Sequence, residues 1–512
     1  MVDLETSSGW QGRFRNLEEA LIMDLIFSKM KYSLGILLVS IAAGYLISLH
    51  SFSVLILIGL LMSAVCVYRY FDTALLFLIF YLPFQVALNI SSGIDLASGR
   101  VFILILLAVW LIKGLAQKKV NINFSLQIVF LSLFLFVAGF SMLWAFEDER
   151  AARKILVFLS IFPLYFVISS FDGKRFVYKV LDALFLGAFL ISLIGLAQFA
   201  AQFILGIDPV MEFWSETIAP IFYGNEFGAE VVSNPSWLVN VSGATLLRVF
   251  SLFPDPHMFS FYMGLILPIL ISFGLFYGKD CGDGGSLILR SRTIVGIIIF
   301  IMILSEALTF SRGGYIGMVA GLGILIILGW KYFGVKKKFI IGSFFAILTL
   351  FGATNGQSFV ARFVSSFDLG EGSNSERMKN WGQGYEMFAD NLFFGVGIGN
   401  YSYELKPTAD YRTPIYAHNT YLDIGAEMGI FALFAWIMLF GASIYGLYRA
   451  GKYADNIGER ALSFGLVGSL VWFLTHSFFD TAIYSPTVLS ILMVILAVAA
   501  TINAKCKNQN VK

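Results

Sequence analysis

The chain has 512 residues, 58% of them hydrophobic and only 13% charged, with a mean hydropathy of +0.80. A soluble fold of this length cannot hide that much apolar surface, and apolar runs of about 17 to 25 residues recur along it, which excludes a soluble enzyme. The runs do not alternate, which excludes a transmembrane barrel, and the net charge of +2 matters less than where the charges sit.

In chain order, the first thirty residues are mostly polar. Phe14, Leu17, Leu21, Leu25 and Ile26 lie there among charges, a pattern that suits a helix on the membrane surface or, equally, a disordered tail. The first apolar run begins near Tyr32, too late and too polar in its approach for a cleavable signal peptide. Spans are expected near 33–49, 51–67, 72–90, 101–115, 125–145, 155–170, 178–204, 257–277, 294–310, 313–330, 338–354, 426–448, 461–478 and 485–503. The expected class is therefore all-α, a polytopic transmembrane helical bundle of about fourteen spans.

The positive-inside rule orients it. With a cytoplasmic N-terminus, twenty-four of the 35 Lys and Arg face the cytosol and eleven face out, most of the latter in two long loops that the rule does not count. The chain then divides into a cytoplasmic amphipathic N-terminus (1–32), N-terminal transmembrane helices (33–205) and a first outer loop (206–256). Central transmembrane helices (257–354), a large outer loop (355–425), C-terminal transmembrane helices (426–503) and a cytoplasmic tail (504–512) complete it. Cys66, Cys281 and Cys506 all fall at or beyond the cytoplasmic side, so no disulfide is expected. No soluble domain and no fixed-period repeat is evident.

Three helices are expected to start on the outer face, each beside a cation. In LLRVFSLFPDPHMFSFY, Asp255 is placed to cap and Pro256 fits the first helical position, with Arg248 just upstream. In TFSRGGYIGMVAG, Ser311 caps, Arg312 sits in the first turn, and Gly313 and Gly314 expose backbone N–H groups. In YAHNTYLDIGAEMG, Asn419 or Thr420 caps, with His418 beside it. Helix N-termini carry partial positive charge and free N–H donors, so three of them with Arg248, Arg312 and His418 form an anion site, and arginine's planar fork suits phosphate oxygens. A snorkel to the headgroups is the lesser reading of Arg312 and an equal one of Arg248. His476, inside a span, reads as a packed, hydrogen-bonded histidine, His50 as interfacial, and the role of His257 is open.

No Asp-x-Asp pair and no His-Glu-x-x-His occurs, so no metal and no cofactor is expected. Glu147, Asp148 and Glu149, followed at once by Arg150, read as a solvated turn. Glu306 and Glu427 fall inside spans, where a carboxylate is costly unless paired, and an ion pair with an arginine is the expectation for each.

Taken together, TFSRGGYIGMVAG, ERMKNWGQGYEMFADNLFFGVGIGNY and AHNTYLDIGAEMGIFALF resemble, in order and spacing, the O-antigen ligase and O-antigen polymerase superfamily. RVFSLFPDPHMFSFY is similar to that family's arginine followed by an Asp-Pro-Asn segment. The likeness covers roughly Arg248 to Leu439. It implies a GT-C-like integral-membrane glycosyltransferase, acting on undecaprenyl-diphosphate-linked glycans at the periplasmic face of the bacterial inner membrane. By position, His418 matches the family's essential histidine, Arg312 and Arg248 its diphosphate-binding arginines, and Arg377 a loop arginine ahead of the Gly395-x-Gly397-x-Gly399 run. Leu392 stands where the family often has Pro, and His257 where it has Asn.

What the resemblance implies for mechanism is attack of an acceptor hydroxyl on the anomeric carbon of the lipid-linked donor. His418 is the general base and Arg312 the stabiliser of the leaving diphosphate. Arg248, Arg377, Ser311, Gly313, Asn419 and Arg412 bind substrate, and Trp381, Tyr385, Tyr401 and Tyr403 offer stacking faces for sugars or, equally, form the core of the loop. The expected partners are the lipid-diphosphate glycan, a glycan or lipid-linked acceptor, membrane lipids, and a flippase and chain-length regulator of the same pathway, with no nucleic acid. A surface-polysaccharide polymerase leads, ahead of a ligase to lipid A-core or to a protein hydroxyl, with a lipid-linked sugar transporter behind both.

Overall fold

The computed structural model describes residues 65–91, 94–118, 125–171, 173–233, 236–241, 243–276, 286–335, 372–408 and 415–509. The expected surface helix at 1–32, the spans at 33–49 and 338–354, most of the span at 51–67, and Arg412 lie outside the described residues. The chain forms two compact units, Met1–Phe71 and Asp72–Lys512, and the second carries the site.

Among the described residues the architecture is mostly helical, with two short hairpins. Helix α1 (Phe71–Tyr81) ends in a 3-10 turn at Leu82–Phe84, and an antiparallel hairpin follows, β1 (Ala87–Ser91) with β2 (Ile94–Ala97). The expected span at 72–90 is thus cut short, because Pro83 has no N–H to continue the ladder. Next come α2 (Ser98–Ala116), α3 (Leu126–Ser141), α4 (Asp148–Ile161), α5 (Pro163–Ser169) and α6 (Lys174–Leu205). The later helices are α10 (Pro256–Phe276), α11 (Arg292–Ala307), α12 (Arg312–Gly329), α13 (Gly372–Asp390), α14 (Tyr401–Leu405), α15 (Thr420–Lys452), α16 (Ile457–His476) and α17 (Pro486–Gln509). Among the described residues, nine helices are long and apolar enough to cross a membrane. The chain is a multi-pass membrane protein of the all-α class.

Among the described membrane-length helices α10, α16 and α17 are the most deeply buried, and α12 packs closely on α16. A Cβ at Gly321 of α12 would sit 2.5 Å from the carbonyl oxygen of Gly468 on α16. Only glycine lets the two backbones approach so closely, the small-residue packing by which helices associate in lipid.

The expected first outer loop at 206–256 is folded. It holds α7 (Ile207–Phe213), α8 (Ala219–Tyr223), α9 (Asn225–Ser233) and the hairpin β3 (Leu238–Val241) with β4 (Ala244–Leu247). Val210, Trp214, Trp237, Leu247 and Phe250 form its core. Its polar contacts run toward the start of α10. The Trp214 indole donates to Ser251 O at 2.9 Å and that of Trp237 to Pro254 O at 2.9 Å. From α6, the Gln202 amide exchanges two bonds with the Leu247 backbone, and Gln198 Oε1 accepts from Ser251 N at 2.8 Å. Residues 247–254 thus reach α10 with their backbone fixed, as buried polar groups require.

Candidate active site

Three helix N-termini meet, and each is capped as its sequence predicts. Asp255 Oδ1 accepts from the backbone N–H of His257 at 2.8 Å and of Met258 at 2.9 Å, at the start of α10. Ser311 Oγ accepts from Gly314 N at 3.2 Å at the start of α12. Asn419 Oδ1 accepts from Tyr421 N at 3.0 Å and Leu422 N at 3.2 Å, and so caps α15. Each cap satisfies donors that would otherwise be orphaned, worth about 1 kcal/mol apiece.

The residue that joins them is Asp480, in the turn between α16 and α17. His418 Nδ1 donates to Asp480 Oδ1 at 3.2 Å, and His257 Nδ1 lies 3.6 Å from Oδ2. His257 Nδ1 is also 3.0 Å from Ser311 Oγ, which in turn lies 3.5 Å from His476 Nε2. A continuous polar chain therefore runs His418, Asp480, His257, Ser311, His476. Sequence reading missed Asp480 altogether. The available signal was its place in HSFFDTA, four residues after a histidine and between two spans.

The electrostatics follow from this geometry. Burial alone would raise the Asp480 carboxyl, but the imidazoles of His257 and His418 and the Arg377 guanidinium outweigh it and hold it well below the usual carboxylate range. The hydrogen bond to Asp480 in turn raises the His418 imidazole, against its own desolvation and the Arg377 charge. Burial, then the nearby Asp480 charge, push Asp255 up to about 6. His418 keeps 45% of its side chain exposed, against 9% for Asp480. The pair thus has one buried anion and one imidazole open to an incoming group, the form of a general base with its orienting carboxylate.

His418 also has a left-handed backbone, with φ of 52°. That conformation is uncommon for a non-glycine residue, although histidine tolerates it better than most, and it persists only where the surroundings hold it. Phe310, one residue before the Ser311 cap, has φ of 50°.

The other expected site residues are placed as follows. Arg248 is buried and donates to three carbonyls: Nε to Thr309 O at 2.7 Å, Nη1 to Ser236 O at 2.9 Å and Nη2 to Phe310 O at 3.3 Å. It braces the Ser311 corner through the backbone. Arg312 opens α12, next to the Ser311 contact with His257. Arg377 lies on α13, and its charge acts on both Asp480 and His418. Gly313 gives room to His476, whose Cδ2 would lie 2.7 Å from a Cβ there. His476 is fully buried and stacked on Phe261 with ring centroids 3.7 Å apart. It is the packed histidine expected, although it reaches the site through Ser311.

The Gly395-x-Gly397-x-Gly399 run has a structural reason. Helix α15 kinks at Gly429, where φ is 76° and ψ −175°. A kink frees carbonyls, and in a membrane they need new donors. Val396 N donates to Ala426 O at 2.9 Å, Gly397 N to Glu427 O at 3.0 Å, and Ile430 N to Leu392 O at 2.8 Å. The run docks on the 145–150 corner as well, where Asn400 Oδ1 accepts from Glu147 N at 2.8 Å. Gly397 has φ of +95°, and a Cβ on it would sit 2.5 Å from Ala145 Cα. Gly397→Ala is therefore expected to lose more than about 2 kcal/mol, read as a drop in melting temperature of the detergent-purified protein. Gly382→Ala on α13, where a Cβ meets nothing within 4 Å, is the control that leaves it unchanged.

Three acidic expectations are corrected. Glu306 pairs with no arginine: its Oε1 accepts from Ser260 Oγ at 2.6 Å, and its Oε2 has no hydrogen-bond partner among the described residues. Glu427 accepts from the Tyr484 hydroxyl and from Tyr401 N at 3.3 Å, and the cation near it is Lys154, not an arginine. The third is corrected in form only: Asp148 and Glu149 are exposed, as expected of a solvated turn, but that turn is the first of α4, with Glu149 paired to Arg153. Acidic residues in a first helical turn complement the dipole.

Residues 297–437 match the O-antigen ligase family. That range contains Arg312, Arg377 and His418 but neither Arg248 nor Asp480. A segment of 180 residues is 27% identical to the teichuronic acid biosynthesis protein TuaE of Bacillus subtilis (strain 168). The alignment covers 33% of this chain and 36% of that relative, so the chain matches little more than a third of the relative's length.

Proposed function

We propose that this chain, a member of the O-antigen ligase and polymerase superfamily, is a membrane glycosyltransferase that moves a lipid-diphosphate-linked glycan onto an acceptor hydroxyl at the outer face of the cytoplasmic membrane. The observation that carries this is the Asp480-held imidazole of His418, set among three capped helix N-termini, one of them opened by Arg312, and within the field of Arg377. The carrier is undecaprenyl diphosphate. The extension of a surface polysaccharide is the leading reaction, beside a relative whose name ties it to teichuronic acid biosynthesis. Transfer of a finished chain to lipid A-core or to protein is the alternative.

The acceptor oxygen attacks the anomeric carbon, and the bond from that carbon to the diphosphate oxygen breaks. The leaving diphosphate takes the bonding pair, and the acceptor's proton goes to His418 Nε2, the nitrogen that the Asp480 contact leaves for substrate. In-line attack inverts the anomeric centre. Arg312 meets the charge that develops on the diphosphate, helped by the N–H group of Gly313, since that of Gly314 is taken by the Ser311 cap, and by the field of Arg377. Arg248 acts by its charge and by holding Phe310. With guanidinium groups in this role the transfer proceeds without a divalent cation.

The test uses purified full-length protein in detergent with lipid-linked repeat units extracted from cells that lack it. Release of undecaprenyl diphosphate with growth of lipid-linked chains is the expected result. Arg312→Ala should lower that turnover by about 100- to 1,000-fold. Release without chain growth, seen only when a lipid or protein acceptor is added, would mean a ligase. No release in either case would overturn the reading.

A further inference from the structure

The two segments that bring His418 and Asp480 together come from distant parts of the chain, and one buried carboxylate ties both. Asp423, fully buried in the first turn of α15, accepts with Oδ1 from Ala417 N at 2.9 Å. With Oδ2 it accepts from the Thr481 hydroxyl. Ala417 precedes His418, and Thr481 follows Asp480. We infer that Asp423 is a positioning residue for the transfer reaction, a clamp that sets the distance between the base and its orienting carboxylate; this rests on His418 acting as the base.

Three further contacts support the assignment. Thr420 Oγ1 donates to Asp480 O at 2.9 Å, and Thr420 N to Ser477 O at 2.9 Å, so the start of α15 is sewn to the 477–480 turn. On the other side, Lys154 Nζ donates to the Tyr416 hydroxyl at 2.6 Å and sits 3.3 Å from the centre of the Tyr484 ring. Residues 416, 417 and 420 are therefore all held, and the left-handed backbone of His418 is trapped between them. Asp423 adds to these the tie between the immediate neighbours of the pair, Ala417 and Thr481. Without it, the Ala417 N–H and the Thr481 hydroxyl lose their shared acceptor, and the separation of His418 from Asp480 is set less tightly, by the Thr420 contacts. A misplacement on the order of 1 Å at a reacting group lowers rate by about 100-fold.

The experiment measures turnover of extracted lipid-linked repeat units by the full-length protein. Asp423→Leu removes both acceptors at similar volume and should lower kcat by about 10- to 100-fold with donor KM within twofold. Asp423→Asn keeps an oxygen for Ala417 N–H and offers an amide N–H to the Thr481 oxygen, so it should restore kcat to within about threefold of the parent. A kcat for Asp423→Leu within twofold of the parent, a loss confined to KM, or an Asn variant as slow as the Leu variant would each overturn the clamp. Should Asp423→Leu fail to insert, Thr481→Val and Thr481→Ser decide. The valine variant should be slower and the serine variant near normal, and equal rates for both overturn the inference. Full turnover by His418→Ala would remove the base and the clamp together. An inactive His418→Ala beside a fully active Asp423→Leu would remove the clamp alone.

Discussion

His418→Asn is expected to lower glycan transfer by about 100- to 10,000-fold, the range for removal of a general base, with donor KM little changed. Asparagine is the informative replacement because it tolerates the left-handed backbone that position 418 adopts, with φ of 52°. His418→Ala loses the same chemistry and adds backbone strain on the order of 1 kcal/mol. The two variants should therefore be equally slow but differ in stability, alanine melting below asparagine. Turnover is followed by release of undecaprenyl diphosphate, and stability by thermal unfolding in detergent. A His418→Asn protein that inserts normally and transfers sugar at the parent rate would remove the imidazole from the mechanism, whatever the alanine variant did.

Much of this site is legible in the sequence because its parts are local. A cap is a short-range object: Asp255 before Pro256, Ser311 before Arg312-Gly-Gly and Asn419 beside His418 each announce a helix start within four residues. That those three starts share one side is expected from the distribution of charge; that they meet is seen only in the contacts of Asp480, His257 and Ser311. What the sequence does not disclose is pairing across long separations. Asp480 sits in a short turn after a span and carries no local motif, and only packing brings it to His418. Lys154 lies in the early helices, where the resemblance implies nothing beyond hydrophobic spans, yet it binds the tyrosine two residues before His418. Charged side chains inside spans invite the assumption of an ion pair, and Glu306 shows the limit of that rule, because a serine hydroxyl from α10 meets it instead. The glycine run was legible as a motif but not as a device. Its purpose depends on the kink at Gly429, whose freed carbonyls appear only once α15 is built.

Asp480→Asn should combine a large loss of rate with a shift of the acid limb of the rate profile to lower pH. The carboxylate only accepts, so it fixes the His418 proton on Nδ1 and leaves Nε2 able to take a proton. An asparagine amide can donate to Nδ1, which reverses the tautomer and blocks Nε2. The corresponding change in a serine-protease triad lowers kcat by about 10,000-fold, and a loss approaching that is expected here. The pH effect has a definite sign. His418 acts as the neutral base, so the parent rate rises with pH through the raised imidazole pKa and is flat above it. Removing the anion that raises this pKa moves the limb down. Stability shifts in the same sense. The raised pKa of His418 stabilises the fold fully below the unfolded value near about 6.5 and loses its contribution as pH rises through the folded value. The lowered pKa of Asp480 stabilises above the unfolded value near about 3.9 and is lost as pH falls through the folded one. The Asn variant loses both contributions, so its melting temperature should fall most between those two unfolded values, where the parent holds the full ion pair, and less at alkaline pH. A rate loss with the acid limb unmoved would show that Asp480 holds the backbone rather than the imidazole.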